Sequence, residues 1–208
     1  MIRYAVKTTE TATFEAVTVE QARNQCNVSH REDDQFLRAA ILAAQSFIEK
    51  QLECVICLQT VQFRFDRFPT KATPLPLPLF PIQEVESVTY INPDSIATTL
   101  DLAKVVQPQS FGKYEIRLVD WEYWPQVRQT PNAVTIQALA GWVSPEAIPA
   151  AIKQAILLLV GHWYLNRESV IVGQTSKEIE FATSMLLESM RPGENELSDQ
   201  LGEGFRDE

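Results

Sequence analysis

From Ala155 to Leu165 the chain reads AILLLVGHWYL, a stretch without an acid, a lysine or an arginine. Pro149 suits the first turn of a helix, where its missing N–H costs nothing, and 149–167 (PAAIKQAILLLVGHWYLNR) is predicted as one helix. A helix apolar on nearly all sides must be buried on more than one face. In a chain of 208 residues that burial needs a neighbouring subunit as well as the chain's own core. Leu158, His162, Trp163, Tyr164, Asn166 and Arg167 are therefore candidate residues of a core or an oligomer interface. The longest apolar run, Ala155 to Gly161, is far short of the roughly 18 residues of a membrane span.

The segments on either side are equally patterned. Thr18 with Gln21 and Ser29 with Glu32 have the spacing of capping boxes, opening helices at about 19–26 and 30–52. In the longer one Phe36, Leu37, Ala40, Ile41, Ala44, Phe47, Ile48 and Leu52 form a single apolar stripe. The period then changes: Val61, Phe63 and Phe65 alternate with Gln62, Arg64 and Asp66, which predicts a half-buried strand. Pro74, Pro76, Pro78 and Pro81 among leucines predict an extended piece confined to an edge, because proline gives no N–H to a ladder. Strands are predicted at 85–91, 114–119 and 133–140, with a turn at Asn92-Pro93-Asp94. A third box, Thr175 with Glu178, predicts a last helix over about 176–190, and Pro192-Gly193 ends it. This predicts an α+β fold, mainly helical, with a small antiparallel sheet inserted at about 58–142. The division is an N-terminal extension 1–17, one domain 18–191, and an acidic tail 192–208. That tail holds six acids from Glu194 to Glu208 against Arg206. It is expected to be mobile, since it cannot bury enough surface to offset its ordering entropy.

Charge and chemistry exclude several classes. The net charge of −9 and pI near 4.8 oppose non-specific affinity for nucleic acid, which needs a basic face; they are compatible with a surface that DNA slides past. Three cysteines and no apolar leader argue against a disulfide framework and for a soluble cytosolic chain. Cys54-Val55-Ile56-Cys57 has C-x-x-C spacing, but Cys26, His30 and His162 are the only further Cys or His ligands, and the apolar setting predicts buried, inert thiols. His162 has no nucleophile or orienting acid in any motif. Glu32, Asp33 and Asp34 stand at a helix start, where they complement its dipole. Trp121, Tyr123, Trp124 and Trp142 lack an accompanying basic cluster, so packing is expected rather than base stacking. No catalytic, cofactor or metal residues are assigned.

The order short helix, long helix, sheet, apolar helix, final helix resembles the head–tail connector (adaptor) family of long-tailed double-stranded DNA phages, in its larger members with a sheet insert. The stretches that carry the resemblance are Thr18 to Ala22 with Asp33 to Leu37, Arg64 to Pro69, Val85 to Tyr90, Pro131 to Gly141 and, most sharply, Ala150 to Gly173 with His162-Trp163-Tyr164 and Asn166-Arg167-Glu168. It covers roughly 15–190. The turn after Ile91 departs from it: Asn92-Pro93-Asp94-Ser95 stands where relatives often have Asp-Gly. The resemblance implies a structural virion protein of the neck, not an enzyme, assembled in the host cytoplasm into a homo-oligomeric ring of about twelve. The ring would dock on the portal protein and meet a stopper or tail-completion protein, with genome DNA passing through without sequence-specific binding. It also makes Leu197, Leu201 and Phe205, at four-residue spacing in the tail, a candidate portal-docking helix. Another neck protein, a stopper or tail terminator, and a small hydrolase are the competing readings.

Overall fold

The computed structural model describes residues 4–8, 14–70, 72–107, 109–110, 113–167, 177–188 and 190. The chain divides into two compact units. One, helical, holds the described residues of Thr13–Cys57 and Trp142–Arg191; the other, built of strands, holds those of Met1–Ala12 and Leu58–Gly141.

The helical unit contains α1 (Val19–Gln25), α2 (Asp34–Leu52), α3 (Ala150–Leu165) and α4 (Lys177–Glu188). The capping box of α1 forms: the Gln21 N–H donates to the Thr18 hydroxyl at 3.2 Å, and the Thr18 N–H donates to the Gln21 side chain at 2.9 Å. The predicted Ser29–Glu32 box does not open α2. Its N-cap is Asp33, which makes no side-chain capping bond, because that carboxylate is engaged elsewhere. Thr175 lies outside the described residues. The α2 stripe Leu37, Ala40, Ile41, Ala44, Ile48 and Leu52 is buried, against α3 residues that include Ile152, Ile156, Leu159, Val160 and Trp163.

The sheet unit corrects the expectation of a mainly helical chain with one small sheet. Among the described residues nine strands form two antiparallel sheets, so the fold is α+β without helical dominance. The five-stranded sheet runs β1 (Tyr4–Thr8), β2 (Gln59–Phe65), β9 (Val134–Ala140), β4 (Ile82–Ile91), β5 (Ala97–Thr99). The other sheet orders β3 (Leu75–Leu77), β8 (Lys113–Leu118) and β6 (Val105–Val106), with β7 (Gln109–Ser110) also on β8. Alternation works as read in β2, where Val61, Phe63 and Phe65 are buried, and in β9, where Val134, Ile136, Ala138 and Ala140 are. In register, Phe63 faces Ile136 and Phe65 faces Val134, cross-strand pairs that stabilise a sheet by packing. The Leu-Pro run supplies β3, an edge strand, as proline requires. β1, in the stretch read as an extension, completes the edge beside β2.

Candidate functional site

The end of α3 and the start of α2 meet in a polar clasp. The Tyr164 hydroxyl donates to Asp33 Oδ2 at 2.7 Å. The Arg167 guanidinium takes both oxygens of the same carboxylate, at 3.1 Å to Oδ1 and 2.9 Å to Oδ2. Such forked pairing is the strong form of a charged hydrogen bond. The guanidinium also lies over two rings, 4.6 Å from the centroid of Phe36 and 4.1 Å from that of Tyr164, and these rings meet edge-on at 6.1 Å. Cation–π attraction thus adds to the ion pair. The helix ends bring the group together: Asp33 is the N-cap of α2 with Phe36 in its first turn, and Arg167 follows the C-cap of α3, whose last turn holds Tyr164.

The electrostatics follow from the contacts. Hydrogen bonds from Arg167 and Tyr164 hold the Asp33 carboxyl at about 2, below its ordinary value. The same bond to Asp33 raises the Tyr164 phenol and the Arg167 guanidinium. His30 approaches Asp33 Oδ2 at 3.8 Å. Beside this, Arg23 and Asp34 pair at 3.3 Å as ions without hydrogen-bond geometry. A carboxylate kept ionised and already taken by Tyr164 and Arg167 is poorly placed to act as a base, so the arrangement is one of fastening.

The candidate residues of α3 divide. Trp163 is buried, His162 and Tyr164 are half-buried, and Arg167 is exposed but clasped. Asn166 donates to the His162 carbonyl at 2.8 Å and meets His162 Nδ1 at 3.3 Å, closing the end of the helix. Leu158 is half-buried, and Leu165 is 80% exposed. Asp33 and Phe36 are the partners the sequence did not reveal as such; Asp33 stands 131 positions from Tyr164, and no local pattern signals that pairing. Leu197, Leu201 and Phe205 lie outside the described residues.

The C-x-x-C segment packs inward. Cys54 and Cys57 are buried free thiols, and burial pushes both up, Cys57 to about 11. Glu49 sits among them: its carboxylate accepts from the Ile56 N–H at 2.9 Å and from Gln45 at 3.1 Å, and burial raises it.

Comparison with known proteins supplies the family. No curated protein matches the chain. Among solved structures the chain is similar to one from the neck of an empty gene transfer agent particle computed with C6 symmetry, with a TM-score of 0.72 and 19% identity over 90% of this chain and 95% of the other. It is also similar to a chain from the virion of the native gene transfer agent particle, with a TM-score of 0.66 and 18% identity over 89% and 94%. A third match, to the neck of the native particle computed with C12 symmetry, has a TM-score of 0.66 and 18% identity over 90% and 94%. These likenesses establish the fold. The family model of the head completion proteins matches residues 15–185, most of the chain, and the chain belongs to that head completion protein family.

Proposed function

We propose that this protein is a structural component of the neck of a tailed phage or phage-like particle, one subunit of a head–tail connector ring of about twelve. The ring would dock on the portal protein, precede a stopper or tail-completion protein and pass DNA through its bore without sequence-specific binding. Assembly would take place in the host cytoplasm, from subunits that carry no catalytic function. The observation that carries the reading is family membership over residues 15–185, supported by a fold shared along nearly its whole length with neck structures computed with C6 and C12 symmetry. The outer surface of α3 fits subunit contact: between Lys153 and Arg167 it has no charged residue, and Leu165 stands exposed at its end.

The test is native mass spectrometry and negative-stain imaging of the purified protein, alone and mixed with portal rings. Closed rings that bind portal are expected. Binding to tail tube and not to portal would make the protein a tail-completion component, and a monomer that binds neither would refute the proposal.

A further inference from the structure

The strand β1 holds to the sheet mainly by its backbone. It stands in register with β2, from Ala5 opposite Arg64 to Thr8 opposite Val61. Yet Ala5, Val6, Lys7 and Thr8 are all exposed, and Val6 keeps 39% of its surface in water although it faces the buried Phe63. A ladder bond contributes, net, no more than the ordering of one residue costs, and little apolar burial is added here. β1 is therefore a marginal strand. It also precedes residues 15–185, the part of the chain that matches the family.

Its partner is the opposite. β2 buries Val61, Phe63 and Phe65 and is paired along its other side with β9 over all seven residues, Gln59 to Phe65. Without β1, the N–H and C=O groups along its outer side would stand open, and an open edge beside a packed core is a template for another strand. The β2 edge is thus a rigid strand-accepting site whose occupant is weakly held.

We propose that in the assembled ring β1 of each subunit pairs with β2 of the adjacent copy, in the register it has within the chain, so that an exchanged strand ties every subunit to the next. The proposal rests on the ring reading above and deepens it by naming one contact between copies. A second copy is the occupant because the edge already fits that strand residue for residue, and exchange of an identical element creates no new surface. Thr8 stands six positions before Phe14, and Ala16 and Val17 are buried in the helical unit. Six residues reach about 20 Å at most, which confines the exchange to an adjacent subunit. Assembly holds that neighbour at an effective concentration on the order of millimolar, so its strand competes with the chain's own. Each exchanged strand then links two subunits without loss of a ladder bond.

The experiment forms a disulfide across the ladder. Lys7 and Gln62 stand opposite one another, and directly opposed residues of antiparallel strands are close enough to be bridged. Rings of a Lys7→Cys, Gln62→Cys double variant in a Cys26→Ser background are oxidised mildly and run on a denaturing gel without reductant. A ladder of covalent oligomers is expected, absent from either single variant. Disulfide-bonded chains that run only as monomers put β1 on its own β2 and overturn the exchange, while the intact rings leave the ring reading standing. Independently, Ala5→Pro with Val6→Pro removes one amide from the ladder, since successive amides face opposite sides of a strand. That variant should lower the ring fraction at fixed concentration by about tenfold with an unchanged melting temperature of the subunit; rings that form normally from it overturn the exchange as well. A native chain that forms no ring, alone or with portal, takes down both readings.

Discussion

Arg167 holds Asp33 by two nitrogens, at 3.1 Å and 2.9 Å, and joins the end of one helix to the start of another across 134 positions of sequence. The carboxyl is kept at about 2 by Arg167 and Tyr164, below an unfolded value of about 3.9. A folded-state value that is depressed contributes stability that is present above the unfolded value and lost as the pH falls toward the folded one. Urea midpoints measured from pH 6 down to pH 2 are therefore expected to drop below about pH 4, and Asp33→Asn should flatten part of that slope. The same variant should melt lower at pH 7, because the forked charged bond is gone. A pH profile identical to that of the native chain would show that the clasp does not contribute.

What was legible in the sequence was local. Thr18 and Gln21 form their box because both partners lie within one helical turn. Ser29 and Glu32 present the same pattern, yet α2 starts at Asp34, beyond the reach of that box. The side chain that caps no amide, Asp33, goes instead to Tyr164 and Arg167, a long-range competition that no spacing rule contains. Similarly, Val61, Phe63 and Phe65 are long enough a series to show a two-residue period. β5 has three residues and β6 and β7 two each, too short for any period, so the strand content was underestimated and the chain read as mainly helical. The apolar run of α3 is plain in the sequence, but which leucine stands exposed, Leu165 rather than Leu158, depends on the packing of the other helices.

Gly161 gives a prediction with an unexpected sign. It is a buried glycine inside α3, where removal of a side chain usually signals close approach. A Cβ built there would meet Gln25 Cγ at 3.7 Å and Nε2 at 3.9 Å, ordinary van der Waals distances. Alanine loses less backbone freedom than glycine on entering a helix, by about 0.5–1 kcal/mol. Gly161→Ala is expected to stabilise the isolated subunit by that amount, as read from the urea midpoint at unchanged slope. A destabilised variant would mean that α1 and α3 cannot yield even at a contact of normal length.

The thiols should divide by burial. Cys54 and Cys57 are buried and Cys26 is partly exposed; burial pushes Cys57 to about 11, so little thiolate exists at neutral pH. Maleimide labelling of the folded protein at pH 7 is expected to modify Cys26 first, with Cys54 and Cys57 reacting only on unfolding. Replacing Cys54 and Cys57 together by alanine should leave ring assembly intact. Rapid labelling of Cys57 in the folded state would overturn the assignment of both as inert packing groups.

Glu49 separates charge from hydrogen bonding. Its side chain accepts from the Ile56 N–H and from Gln45, and its backbone carbonyl accepts from the Cys54 N–H at 3.0 Å, so it fixes the chain as it leaves α2. Burial raises its carboxyl above the ordinary value despite those bonds. A raised folded-state value means that stability is greatest below the unfolded value and declines as the pH rises through the folded one. Glutamine at this position retains an acceptor for Ile56 and carries no charge to desolvate. Glu49→Gln is therefore expected to match or exceed the native stability at pH 7 and to lose the decline with pH. Glu49→Ala leaves the Ile56 N–H without its acceptor, which costs about 1–3 kcal/mol, and should lower the urea midpoint accordingly. If glutamine and alanine destabilise equally, the carboxylate charge itself holds the segment, and the hydrogen-bond account of this corner is wrong.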